Sequence, residues 1–390
     1  MFADRTRWQT ALNALSQRRQ RLEREGVTLL DLTESNPTKV GFHYPPGWLS
    51  LLAEQEGLQY DPSPKGLLSA REAVASIYAR KGVSLHPERI VLTASTSEAY
   101  GFLFRLLCNP GDQILIPVPS YPLFSYLADL SDVKPVSYPL RYVDRWGIDF
   151  KALEEAISSR TRAVIVVHPN NPTGSCVTVQ EQERLAQLCR AGNIVLIADE
   201  VFSEYRFHDD RNYPSTLFPS RDLDFLTFSL GGISKFIGLP QMKLAWIAAG
   251  GPETLLKPAL ERLEVIADTF LSVNTPVQRA LPQWLSNARG IQSQIQERIS
   301  ENRQFLTKNL KGRGVQLLQA DGGWSAVLKI PSVEDEESWA MKLLEKERLL
   351  VYPGYFFDFP EPGIGVISLL LSPEIFQEGV SRLFRQTVVQ

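Results

Sequence analysis

Cysteine, histidine, charge of one sign and long apolar runs are all scarce in this 390-residue chain, and each scarcity removes a class of function. The three cysteines, Cys108, Cys176 and Cys189, are odd in number and lack metal-ligand spacing. Neither a disulfide framework nor a structural zinc site is expected, and a reducing cytoplasm is the default location. The four histidines, His43, His86, His168 and His208, are scattered and form no HExxH or related cluster, which argues against a zinc hydrolase and for no metal at all. No stretch approaches the roughly 18 uncharged residues that cross a bilayer, and Met1 to Arg24 is polar and Arg-rich without a signal-peptide core, so a soluble protein with no membrane partner is expected. With 41 basic and 44 acidic side chains the net charge is −3. Such a chain has no basic field for steering a polyphosphate, and no nucleic-acid partner is expected. Internal repeats, low-complexity tracts and Gly/Ser linkers are also missing. A nucleotide-binding doubly wound enzyme would want GxGxxG after its first strand, and the chain has none.

What is present is ordinary globular material, 44% hydrophobic and 22% charged, long enough for two or three domains. From Ile90 to Gly250 short β-rich runs alternate with helical stretches: IVLT (Ile90 to Thr93), ILIP (Ile114 to Pro117), AVIVVH (Ala163 to His168), IVLIAD (Ile194 to Asp199), FLTFSL (Phe225 to Leu230) and LAWIAA (Leu244 to Ala249). Nearly continuous apolar strands predict a sheet covered on both faces. Thr178 followed by Glu181 is a capping box opening a helix through Leu185 and Leu188 that Gly192 stops. Serial units of this kind specify an α/β domain with a mostly parallel sheet, whose functional loops lie at the C-terminal ends of the strands.

Outside this block, Arg5 to Glu25 reads as a helix, followed by the strand TLLDL and a turn at Ser35-Asn36-Pro37. A long amphipathic stretch from Pro276 to Leu310 precedes strand-like segments near Val315 to Leu318, Trp324 to Ile330 and Gly365 to Leu371. The expected organisation is an arm at residues 1–48 joining a small domain, a large domain at 49–280 and a small α+β domain at 281–390.

The unusual residues fall at the strand ends: Thr93-Ala94-Ser95-Thr96-Ser97-Glu98, Pro119-Ser120-Tyr121, the run His168 to Gly174 containing NNPTG, Asp199-Glu200, and Ser229 to Lys235 with Lys243 beyond. Hydroxyls and backbone N–H groups at a helix start suit an anion such as phosphate. A tyrosine that can stack on a planar ring follows, then an amide, a carboxylate and a lysine in a loop of small residues. This series resembles the aspartate aminotransferase family, the fold type I enzymes that use pyridoxal 5′-phosphate (PLP), from about Leu29 to Arg385. NNPTG, DE at a strand end and GGISK are specific in combination. The resemblance implies a fold type I PLP-dependent α/β transferase, with a mostly parallel seven-stranded sheet in the large domain, and a cytoplasmic homodimer with shared active sites.

By that resemblance Lys235 is the lysine joined to the cofactor as an imine and later the base at the substrate α-carbon. Asp199 faces the pyridinium nitrogen, Asn171 donates to the ring oxygen, Tyr121 covers the ring, and Ser95, Thr96, Ser97 and Lys243 take the phosphate. Tyr60, in the run YDPSPKG, resembles the element that reaches the neighbouring subunit's phosphate. Ser35, Asn36 and Trp324 match the substrate side. Each type also has an ordinary structural use, as surface lysine, helix cap or turn residue.

Three departures from the family pattern concern the substrate more than the cofactor. Phe202 stands where most members have a tyrosine that donates to the ring oxygen, so the imine pKa should rise unless Tyr205 or another group substitutes. Gly232 and Lys243 replace a serine and an arginine, a point charge in place of a bidentate fork. The arginine that clamps a substrate carboxylate would fall at about Val366, in GIGVISLLLSPE, where none exists. Lys39, Arg348, Arg279 or a partner-chain residue would have to supply that charge. The leading expectation is an aminotransferase acting between an amino acid and a 2-oxo acid. A C–S lyase, decarboxylase or synthase on the same fold is the alternative, because the cofactor stabilises a carbanion in each case. A PLP-binding scaffold without catalysis is a further one.

Overall fold

In the computed structural model the described residues are 1–208, 210–218, 223–310, 314–330 and 335–386. The apolar runs form one sheet in the spatial order Ile90–Thr93, Ala245–Gly250, Thr227–Gly232, Val195–Asp199, Thr161–Val167, Gln113–Val118, Lys134–Tyr142, Trp146–Ile148. Five neighbouring strands, from Thr227–Gly232 to Lys134–Tyr142, pair in parallel, while Ala245–Gly250 and Trp146–Ile148 run antiparallel to their neighbours. Within Thr161–Val167 the side chains of Ile165 and Val167 join one buried cluster and those of Val164 and Val166 another, as a strand covered on both faces requires. The helix Val179–Gly192 opens with the Thr178/Glu181 capping box and packs Leu185 and Leu188 on the second face.

The sheet has eight strands among the described residues rather than seven. The additional one, Trp146–Ile148, is a short hairpin partner of Lys134–Tyr142. No apolar run marks that pair, because Lys134–Tyr142 reads KPVSYPLRY, with two prolines and polar residues. Proline is tolerated near a sheet edge, where a missing ladder bond costs least.

The N-terminal helix is also shorter than expected, Ala14–Arg24, because Asn13 Oδ1 accepts from Ser16 N and starts it there. The stretch from Pro276 to Leu310 divides into Thr275–Ser286 and Arg289–Asn309, separated at Asn287–Ala288. A second, antiparallel sheet carries Gln316–Leu317, Ser325–Lys329, Ile364–Ser368 and Tyr352–Pro353 in that order. Leu30–Asp31 pairs in parallel with Leu349–Leu350, which ties the N-terminal arm to the C-terminal part of the chain. Residues 387–390 of the expected C-terminal domain lie outside the described residues. One apolar cluster joins Leu15 and Leu22 of the arm to Trp284, Ile295, Leu328 and Ile367.

Candidate active site

The C-terminal ends of the parallel strands and the near end of the small sheet enclose a cavity of about 600 Å³. Of the residues singled out in the sequence, Lys235, Asn171, Tyr121, Ser35 and Trp324 lie on its wall, together with Phe202 and Val366. Lys235 reaches it because Thr227–Gly232 stops at two glycines and a single helical turn, Ile233–Phe236, follows. A Cβ at Gly231 would run into the Trp246 indole, so the strand end accepts only the smallest residue there.

The Lys235 Nζ lies 5.1 Å from the centre of the Trp324 ring and 5.8 Å from that of Phe202. Burial lowers its pKa to about 8, and it makes no ion pair among the described residues. Asp199 ends the adjacent strand, in register with Leu230, and is 8% exposed. Its Oδ2 accepts from the Tyr100 hydroxyl at 2.9 Å and its Oδ1 from Val201 N at 3.1 Å. Burial, the dominant cause, pushes the Asp199 carboxyl up to about 6 despite those two bonds, and no cation among the described residues compensates it. Tyr121 carries a hydroxyl held above its usual range first by burial and then by the charge of Asp199, so these two residues are near neighbours.

The two asparagines of NNPTG have different work. Asn170 is 2% exposed and spends its amide on Pro119 O at 3.0 Å and Thr173 Oγ1 at 2.8 Å, while accepting from Ser120. Asn171 is the one on the cavity wall. Gly174 closes this loop with φ +67, and a Cβ there would collide with the carbonyl of Gly322. That close approach, with Asp321 N and Gly322 N both donating to Gly174 O, fixes the turn that carries Trp324. The indole of Trp324 is 3% exposed and its Nε1 has no partner among the described residues.

Ser95 caps the helix Thr96–Leu107 by accepting from Glu98 N, and Ala99 N returns to Ser95 O. Among the described residues the N–H groups of Thr96 and Ser97 have no acceptor, an arrangement suited to an anion. Lys243 follows a short turn in left-handed conformation, φ 52, and is exposed off the cavity wall. Tyr60, 76% exposed, borders a separate cavity of about 200 Å³ with Ser272 and Asn274. Asn36 does not reach the main cavity: its Oδ1 accepts from Thr38 N and Thr38 Oγ1 and caps a local turn. Tyr205 does not take over from the absent tyrosine at position 202, since its hydroxyl donates to the carbonyls of Lys235 (2.9 Å) and Phe236 (3.1 Å).

Val366 lies on the wall, 2% exposed, with no arginine on its strand. None of Lys39, Arg348 and Arg279 lines the cavity; Lys39 is instead exposed beside Glu34 at 3.7 Å. The residue that sequence reasoning missed is Arg19, which does line it, with Asn13 and Ser16. A signal was present: positions 13, 16 and 19 follow a three-residue spacing along the helix, and Arg19 borders the buried stripe of Leu15 and Leu22 at i+4 and i−3.

Comparison with known proteins agrees with this geometry. The sequence profile described as "Aminotransferase class I and II" matches residues 28–383. The chain is 28% identical to the glutamate-pyruvate aminotransferase of Escherichia coli over 352 residues, 88% of this chain and 86% of that protein. To the alanine aminotransferase of Mycobacterium tuberculosis it is 30% identical over 354 residues, 88% and 81% respectively. The fold superimposes on the alanine aminotransferase of Pyrococcus furiosus with a TM-score of 0.90 at 25% identity, covering 99% of both chains. A Thermus thermophilus aspartate aminotransferase mutant shares the fold at a TM-score of 0.87 and 23% identity, again over 99% of each. A match that runs almost from end to end, with a lysine and a buried carboxylate on neighbouring strand ends, has one reading: this chain belongs to the class I and II aminotransferases.

Proposed function

We propose that this aminotransferase works with pyridoxal 5′-phosphate held between Lys235 and Asp199, as a cytoplasmic homodimer, on an α-amino acid and a 2-oxo acid. The observation that carries the reading is a pair of incomplete charges. Among the described residues Asp199 is a buried carboxylate without a cation, and Lys235, one strand away, is an amine without a counter-ion whose pKa burial lowers to about 8. An uncompensated buried carboxylate costs several kcal/mol, and a pyridinium nitrogen would supply the cation that it lacks. When bound, the cofactor supplies an aldehyde that accepts an amino group and a protonated ring that withdraws electrons from the carbon attached to it.

The remaining work falls to the chain. Lys235 receives the cofactor through its neutral amine and, once displaced, carries a proton at the substrate α-carbon, its lowered pKa matching that use near neutral pH. Asp199 holds the proton of the ring nitrogen. Asn171 and Tyr121, both on the cavity wall, would hold the ring, the amide as a donor to its oxygen and the phenol against its face. The open N–H groups of Thr96 and Ser97, the Ser95 hydroxyl and Lys243 take the phosphate, and Tyr60 of each copy reaches the phosphate in the other. Trp324 and Phe202 exclude water beside Lys235.

The test is a spectrum of the purified holoenzyme before and after borohydride reduction, with peptide mapping. A label on Lys235, disappearance of the absorbance band on adding an amino acid, and its return with a 2-oxo acid are expected. L-alanine and L-glutamate with pyruvate and 2-oxoglutarate are the first pairs to try, given the names of the relatives. A colourless protein that takes up no cofactor, or a label on another lysine, would overturn the proposal. Ammonia released without an acceptor would mark lyase chemistry instead. Light scattering on the holoenzyme should give twice the 43.9 kDa of one chain.

A further inference from the structure

An α-amino acid brings a carboxylate into a cavity whose wall bears two cations among the described residues, Lys235 and Arg19. Lys235 is committed to the cofactor and the proton. A carboxylate in a partly dry site needs a charge or several donors, and the strand that includes Val366 offers no charge. We propose that Arg19 is the substrate-binding residue that holds the α-carboxylate of the amino acid, in place of the arginine missing at Val366. The inference rests on the aminotransferase reading above.

Four observations carry it. The Ala14–Arg24 helix is anchored by its other side chains: Leu15 and Leu22 are buried, and Arg18 pairs with Glu345 at 2.9 Å. Ahead of it, Trp8 donates to Asp129 at 2.8 Å and Arg5 pairs with Asp132 at 2.6 Å, on the large-sheet side. The segment thus spans both walls and turns Asn13, Ser16 and Arg19 toward the cavity. Second, the guanidinium is oriented but not used up. Its Nε donates to Glu23 at 2.8 Å, one Nη is 3.8 Å from Asp31, and the other Nη has no partner among the described residues.

Third, Arg19 is within electrostatic reach of Tyr352, which pairs in register with Val366 on the next strand. The charge therefore stands at the same wall that the absent arginine would have served. Fourth, that wall carries hydroxyls able to complete a carboxylate's hydrogen bonds. Ser35 makes no side-chain hydrogen bond among the described residues. Ser368 Oγ accepts from Leu370 N at 3.2 Å and keeps its own hydrogen to donate. Glu23 and Asp31 face the same guanidinium and oppose an incoming anion, but Glu23 is half exposed and screened, and both fix the direction of the fork.

The test uses the holoenzyme and its half-reaction, followed by the cofactor band, with whichever of L-alanine, L-glutamate or L-phenylalanine is converted fastest, and with its α-carboxamide. The variants are Arg19→Met and Arg19→Lys. Loss of a charge-assisted pair should raise the half-saturating amino acid concentration of Arg19→Met about 10- to 100-fold. The limiting rate, the melting temperature and the cofactor spectrum should be little changed, and Arg19→Lys should lie between. The preference for the amino acid over its amide should collapse in Arg19→Met, a change that a structural role for Arg19 would not produce. An unchanged half-saturation, an unchanged preference, or an effect confined to dicarboxylic substrates would overturn the assignment while leaving the aminotransferase reading intact. A wild-type protein that converts no amino acid would instead sink that reading, and the inference with it.

Discussion

The two walls of the cavity are built on different principles. The wall proposed for the cofactor comes from the ends of adjacent parallel strands, so that Asp199, the turn to Lys235 and the NNPTG loop are each placed by a strand whose register is fixed by buried neighbours on both faces. The wall proposed for the substrate gathers Arg19, Ser35, Tyr352, Phe356 and Ser368 from an N-terminal helix, a loop, an antiparallel sheet and the helical turn Gly354–Phe357, which meet only in three dimensions. A wall made at strand ends resists change, because moving one residue disturbs a ladder. A wall made of separate segments can take its charged group from any of them, which is why Arg19 on the helix can be the proposed partner of the carboxylate although the strand of Val366 carries no arginine.

If the walls divide the labour in this way, removal of Lys235 should give the largest effect and act on chemistry alone. Lys235→Ala should lower the rate of amino-group transfer by about 10³-fold or more while noncovalent cofactor binding persists, measured by single-turnover kinetics and equilibrium dialysis. Activity within tenfold of wild type would break the assignment of this wall. Next in size, Asp199→Asn keeps the shape and removes the charge. It should cost about 10²-fold in limiting rate, with a weaker effect on half-saturation by substrate. An effect on half-saturation alone would move Asp199 to the substrate side.

The pH dependence of cofactor capture separates the walls again. Burial lowers Lys235 from 10.5 to about 8, so in the protein freed of cofactor its reactive neutral form dominates above about pH 8. The rate of covalent capture, read by absorbance in stopped flow, should climb about tenfold per unit below that midpoint and level off above it. A midpoint near that of an ordinary lysine would show that Trp324 and Phe202 do not dry the amine.

The same division decided what could be read from the chain. The six apolar runs, the capping box at Thr178 and the residues at strand ends are local patterns, and local patterns survive in sequence. The edge pair Lys134–Tyr142 and Trp146–Ile148 escaped because edge strands carry proline and polar residues. The resemblance pairs Asn36 with Ser35 on the substrate side, yet adjacent residues in an extended turn point different ways, and the Asn36 side chain closes the turn itself. Arg19 was legible as part of an Arg-rich helix. Its direction was not, because the face a helix presents depends on what buries Leu15 and Leu22, and that cluster draws residues from both ends of the chain.

The smallest expected effect concerns a single hydroxyl on the cofactor wall. Phe202 meets Trp324 edge-on at 5.3 Å and offers no hydrogen bond toward the cofactor, while the Tyr205 hydroxyl is spent on the backbone of Lys235 and Phe236. Phe202→Tyr restores a donor and should lower the pH midpoint of the bound cofactor's absorbance by about one unit, because a hydrogen bond to the deprotonated form favours it by about 1 to 2 kcal/mol. Tyr205→Phe is the control. It removes a buried bond worth about 1 kcal/mol of stability and should leave the midpoint where it was. A midpoint that moves with Tyr205→Phe and not with Phe202→Tyr would mean that position 205 tunes the cofactor after all. It would also mean that the tuning hydroxyl can stand at either of two nearby positions, 202 or 205, of the same wall.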